Sequence, residues 1–165
     1  MTQLKILVGT TTQNAMLLAQ AIALDCADLL SAIEIRPMDG LNIHVFDSAS
    51  ATQTLYLICT ATTGSGDVPD NAQALYNSLG CEPLYLGHVR YGVMALGDSS
   101  YPQTFCFGGK NFDERLQDLG ARRIGDLWCH DASSGDAPET TGAAWCRQWL
   151  TQEALPALSA SCATA

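Results

Sequence analysis

The sequence predicts an α/β fold in three layers, α/β/α, with a five-stranded parallel sheet covered by helices on both faces. Three observations predict it. Short apolar runs alternate with longer segments whose apolar residues recur at helical spacing. The runs are apolar on both faces, as strands buried in a parallel sheet are. Glycine, proline and capping residues punctuate the alternation. The 165 residues are enough for one domain with its own core.

The elements follow in order. Lys5-Ile6-Leu7-Val8, stopped by Gly9, reads as a buried strand. Asn14 to about Cys26 reads as a helix, with Ala15, Leu18, Ala19, Ile22 and Ala23 on one stripe. Ala32 to Arg36 is a weaker strand ended by Pro37 and Gly40, and Thr54 to Cys59 is the clearest central strand. Pro69 opens a helix through Leu79, with Gly80 as its expected stop. Tyr91 to Leu96 is another buried strand, Phe105 to Leu119 a helix closed by Gly120, and Arg122 to about Leu127 the last strand. Glu139 to Leu155 is a final amphipathic helix on which Trp145 and Trp149 belong to the core. The expected domain is 1–155, followed by a flexible Ala/Ser-rich tail at 156–165.

Composition narrows the function. Eight basic against seventeen acidic side chains give a net charge of −9. Such a surface repels nucleic acid and anionic membranes, and neither is an expected partner. The charge either favours a basic protein partner or only keeps the chain soluble. No apolar run reaches the roughly 20 residues of a membrane span. The start, Met1 to Lys5, runs straight into a strand without the pattern of a signal peptide, so a cytoplasmic monomer is expected. The seven cysteines are odd in number and form no Cys-x-x-Cys, so no metal site or catalytic thiol is assigned. His44, His88 and His130 are scattered and are expected at the surface or in loops.

Three loops follow strands and therefore meet at one edge of a parallel sheet. Gly9 to Ala15 gathers hydroxyls and amides at a helix N-terminus, a phosphate cradle without Lys or Arg. It lacks the Gly-Lys-Ser/Thr of a Walker loop and the spaced glycines of a dinucleotide fold. Thr60 to Asn71 holds Gly64 and Gly66 shortly before Pro69, where a backbone can approach a ligand closely. Leu96 to Pro102 places Tyr101 among small polar residues, where its ring can lie on a planar ligand. Each loop alone also serves as an ordinary cap or turn. A further loop, with Asp131 and Asp136, follows the last strand and is expected near the same edge.

On these residues the chain resembles the FMN-binding domains of cytochrome P450 reductase, sulfite reductase flavoprotein and nitric oxide synthase, and the small MioC-type flavodoxins. The stretches that carry the resemblance are Leu96-Gly97-Asp98-Ser99-Ser100-Tyr101 with its continuation to Ala121, and Thr62 to Asp67 with Pro69-Asp70-Asn71. The resemblance spans roughly residues 4 to 150. It implies a flavodoxin-like fold with the strand order 2-1-3-4-5 of flavodoxin itself. It implies FMN as cofactor, its phosphate held by Thr10, Thr11, Thr12, Gln13, Asn14 and Ala15. Ala61, Thr62, Thr63 and Gly64 would line one side of the ring. Leu96, Gly97, Asp98 and a stacked Tyr101 would line the other, with Phe105 and Cys106 beside it.

The implied function is an electron carrier rather than an enzyme with its own substrate. One domain leaves no room for FAD and NADPH modules. The expected partners are therefore a separate NAD(P)H-dependent FAD reductase and a haem or other redox acceptor, such as a bacterial cytochrome P450 monooxygenase, docking through the acidic surface. Three alternatives share the fold. A flavin-dependent quinone or nitro reductase needs a nicotinamide site, for which the sequence shows no basic cluster. A phosphoacceptor regulator needs acids where Gly9-Thr10 and Cys59-Thr60 stand. A flavin-free binding module would be colourless.

Overall fold

The computed structural model describes residues 2–10, 14–46, 53–62, 66–81 and 84–158. Its parallel sheet is built from β1 (Thr2–Gly9), β2 (Ala32–Pro37), β3 (Gln53–Thr60), β4 (Arg90–Gly97), β5 (Arg122–Arg123) and β6 (Trp128–Asp131). The order is β2-β1-β3-β4-β5, with β6 also paired to β4. The expected order is therefore present, with a sixth short strand. Among the described residues, the helices that cover it are α1 (Asn14–Asp25), α2 (Gln73–Cys81), α3 (Phe107–Asp118) and α4 (Pro138–Trp149).

Alternation along the strands sorts the core into two halves. Leu4, Ile6 and Val8 of β1, Leu55, Leu57 and Cys59 of β3, and Met94 and Leu96 of β4 meet α1 and α4. Leu7, Tyr56, Ile58, Tyr91 and Val93 face the other way, against α2 and α3. Both faces are dry, which is why the strands read as unbroken apolar runs. Trp149 is 1% exposed, as its core assignment requires, and stacks at 5.8 Å on Trp145.

The last strand differs from its prediction. Only Arg122 and Arg123 pair at first, against Arg90 and Tyr91, and pairing resumes at Trp128 against Met94, two residues out of the first register. The carbonyl of Ile124 accepts the indole N–H of Trp149 at 2.7 Å, and Gly125 turns the chain at φ +75. Ile124 N–H still donates to Tyr91 O at 2.8 Å, but residues 124–127 then leave the ladder, with Ile124 and Leu127 half-buried against the core, where a continuous strand was expected. Other boundaries shift as well. Gly80 lies inside α2 rather than ending it, because helical bonding runs on to Cys81. After α4 a π-helical turn, Leu150–Ala154, leads into helix as far as residue 158. Leu155 N–H bonds back to Leu150, one step before Pro156, which has no N–H to donate. Leu158 is buried in the core, so the folded part continues past the expected boundary at 155. His130 is buried on β6 and stacks on Trp128, unlike the surface position expected for it. Among the described residues no helix is long and apolar enough to cross a membrane.

Replacing Trp149 with Phe keeps an aromatic ring but leaves the Ile124 carbonyl without its donor. The apoprotein should lose about 1 kcal/mol in a urea titration, toward the low end of the cost of an unsatisfied acceptor because this one is only partly buried.

Candidate functional site

Gly9 pairs with Thr60, Thr60 with Ala95, and Gly97 with Asp131. The C-terminal ends of β1, β3, β4 and β6 therefore finish almost level, and the loops that leave them share one edge. This is where those predicted site residues that the structure describes gather.

The first loop opens at Thr10, whose N–H donates to Asn71 Oδ1 at 3.0 Å. The Asn71 amide donates in turn to Val8 O at 3.4 Å and to Asp39 Oδ2 at 3.3 Å. One side chain, carried on the helical turn Asp70–Ala72, thus ties the loop after β3 to the ends of β1 and β2. Asn14 begins α1 and is exposed, while Ala15 is fully buried, its carbonyl facing the Cys59 thiol at 3.5 Å. Whatever Ala15 offers a ligand is backbone. Thr11, Thr12, Gln13, Thr63 and Gly64 lie outside the described residues.

Thr62 is committed inside the protein. Its hydroxyl donates to Leu96 O at 2.9 Å and accepts from Gly108 N–H at 3.0 Å, joining the ends of β3 and β4 to the start of α3. Gly108 is packed so closely that a Cβ there would overlap the Ala61 carbonyl. Ala61 N–H donates to Gly9 O at 2.8 Å.

The loop after β4 is a chain of turns. Asp98 caps it from within: Oδ1 accepts from Ser100 N–H at 2.8 Å, and its carbonyl from Tyr101 N–H at 3.0 Å. Tyr101 stands 61% exposed. Leu96 is buried and Gly97 half-buried at the strand end. Phe105 is half-buried beneath the Lys110 ammonium, 5.9 Å from its ring centroid. Cys106 turns inward. It is fully buried, adopts left-handed backbone at φ 59, and aims its thiol at Ala95 O and His130 O at 3.6 and 3.9 Å. Contact with Cys129 and burial push that thiol's pKa up, so it stays protonated.

Asp131 draws the last loop in. Its Oδ1 accepts from Ser99 N–H at 2.9 Å, Ser133 N–H at 2.9 Å and Ser133 Oγ at 2.8 Å. These bonds, led by Ser99, hold its carboxyl well below the usual carboxylate range. Asn71 and Asp131 are the residues whose roles the sequence leaves unassigned. The sequence puts both in loops that follow strands, but their partners are 61 and 32 residues away.

Residues 6–145 match the sequence profile of the flavodoxin family. The chain is 39% identical over 155 residues to Flavodoxin YqcA of Pectobacterium carotovorum subsp. carotovorum, covering 90% of this chain and 95% of that protein. It is 37% identical over 123 residues to the NADPH sulfite reductase flavoprotein alpha-component of Vibrio cholerae, covering 74% of this chain and 19% of that one. Among solved structures, a cysteine-to-alanine point mutant of the flavodoxin from Pseudomonas aeruginosa superposes with a TM-score of 0.74 at 30% identity, over 90% of this chain and 97% of that one.

Flavodoxins bind FMN, and the residues present fit that group. The first turn of α1 contains no acidic side chain to repel a phosphate, and its N–H groups point toward the first loop. Among the described residues, Thr10 and Asn14 flank that turn with a hydroxyl and an amide. Across the same edge, Tyr101 presents an exposed aromatic face.

Replacing Thr62 with Val preserves shape but unpairs Leu96 O and Gly108 N–H. The expected cost is about 1–3 kcal/mol by urea denaturation, together with weaker FMN binding. The depressed pKa of Asp131 fixes the sign of a pH effect. Its hydrogen bonds contribute fully above the unfolded value, about 3.9, and are lost as pH falls through the still lower folded value. The amide resonances of Ser99 and Ser133 should therefore be steady from neutral pH down to about 4 and shift only in stronger acid.

Proposed function

This chain belongs to the flavodoxin family, and from that premise we propose that it carries electrons one at a time from a separate NAD(P)H-dependent FAD reductase to a haem or other redox acceptor protein, a bacterial cytochrome P450 monooxygenase being one candidate. Flavodoxins are FMN electron carriers. The observation that carries the reading is the convergence of the loops after β1, β3 and β4 at one edge, with neutral donors on one side and an exposed Tyr on the other.

Bound FMN supplies reversible uptake of electrons, and the chain's own residues do the rest. Thr10 and Asn14, with Thr11, Thr12, Gln13 and the backbone at Ala15, hold the phosphate at the start of α1. Ala61, Thr62, Thr63 and Gly64 border one side of the ring. Leu96, Gly97 and Asp98 border the other, Tyr101 covers it from solvent, and Phe105 with the backbone of Cys106 backs that loop.

Electrostatics set both potential and partner. Holding a phosphate with neutral donors leaves its negative charge in place. Asp67 and Asp70 are exposed on the loop after β3, at the same edge. Added negative charge on the ring is then disfavoured, which makes the reduced protein a strong reductant. The same acidity, within a net charge of −9, attracts a basic docking face.

The purified chain mixed with FMN should turn yellow, absorb in the blue and gain thermal stability. With NADPH it should stay oxidised until an FAD reductase is added, and association should slow about tenfold or more from 0.01 M to 0.5 M salt. A colourless protein that FMN does not stabilise would defeat the proposal. So would sustained NADPH oxidation by the flavin-loaded protein alone.

A further inference from the structure

We propose that Asp131 is a positioning residue for the flavin: it latches the loop that carries Asp98 and Tyr101 to the end of β6 and thereby holds the tyrosine over the ring. The inference rests on the carrier reading and goes beyond it, because Asp131 is outside the three loops assigned to the cofactor.

The sheet places the latch. Asp131 is the last residue of β6 and pairs with Gly97, the last residue of β4. Its side chain therefore emerges beside the first residues of the loop after β4. This depends on the break in the edge strand. Had the register of Arg90 against Arg122 continued, Gly97 would face Cys129 and no carboxylate would stand at this point. The shift is two residues, so inward and outward faces are kept while the residue at the strand end changes.

The hydrogen bonds cross between loops. Oδ1 takes Ser99 N–H from the loop after β4, and Ser133 N–H and Oγ from the turn after β6. Ser99 Oγ and Ser133 Oγ close the bridge at 2.8 Å. Ser134 Oγ donates to the Asp131 carbonyl at 2.7 Å, pinning the turn itself. Asp98 orders the loop from inside through Ser100 and Tyr101, but those bonds are local and move with the loop. Asp131 instead ties the loop to the sheet two residues before Tyr101. A carboxylate suits the task, since it accepts several donors at once and bonds them more strongly than a neutral acceptor.

The test compares wild type, Asp131→Ala and Asp131→Asn in the full chain, measuring dissociation constants for FMN and for riboflavin by flavin fluorescence, with urea midpoints of the apoproteins alongside. Asp131→Ala should weaken both flavins by the same factor, at least about tenfold, because the latch acts on the ring side and not on the phosphate. The apoprotein midpoint should move too little to account for that loss. Asp131→Asn keeps an acceptor and should fall nearer to wild type. Wild-type affinity in Asp131→Ala overturns the proposal, as does a loss seen with FMN but not riboflavin. An Asn variant as weak as the Ala variant also overturns it, since charge rather than the latch would then be responsible. Should Asp131→Ala not fold, Ser99→Pro, which deletes the donated N–H and leaves the carboxylate, carries the same expectation and the same refutation. If wild type binds neither flavin, the carrier reading itself fails. If wild type binds and the variants match it, only the latch fails.

Discussion

Gly9 beside Thr60 and Thr60 beside Ala95, in one parallel ladder, is the constraint from which the site follows. Parallel strands need crossovers, and those through α1, α2 and α3 return the chain to the same starting end. The loops that precede those helices are thereby forced to one edge. No side chain has to recruit them there. The apolar faces that drive the layers together, Leu55, Leu57 and Cys59 toward α1 and α4, Tyr56 and Ile58 toward α2 and α3, are also what makes the ladder rigid. The geometry of this edge is thus set by the core.

Levelling the strands leaves many polar groups in a small space, and the structure satisfies them with one another. Thr62 and Asn71 each bridge different strand ends, and their side chains are engaged with protein backbone. A ligand arriving at this edge meets strand ends already tied together by such bridges, so less of its binding energy goes into ordering them. The hydroxyl of Thr62 shows how a residue can matter to a site through its neighbours while its own donor and acceptor are used elsewhere.

The outer strand illustrates how a remote contact sets local chemistry. Trp149, on the last long helix, takes the carbonyl of Ile124 and so interrupts the pairing of the fifth strand with β4. When pairing resumes, the register has advanced two residues, and Asp131 rather than Cys129 ends level with Gly97. The path from an indole N–H to the geometry of an exposed loop is continuous: a carbonyl, a glycine turn at Gly125, a four-residue strand and a carboxylate.

Hydrophobic period and turn chemistry determined from sequence alone that the fold is α/β, where the long elements lie, and that three loops leave strands at one edge of the sheet. These are properties of residues near one another along the chain: Lys5 to Val8, Thr54 to Cys59, the glycines and hydroxyls that follow them. The strand order and the roles of individual loop residues came from resemblance to a family, not from spacing. Tertiary structure alone decided the rest. The break between Arg123 and Trp128, the burial of His130 and Leu158, the inward turn of Cys106, and the bridges made by Asn71 and Asp131 each depend on a partner brought close by packing. A local pattern encodes which face a residue takes; which distant carbonyl or amide it meets is fixed only when the layers close and every buried polar group must find a partner.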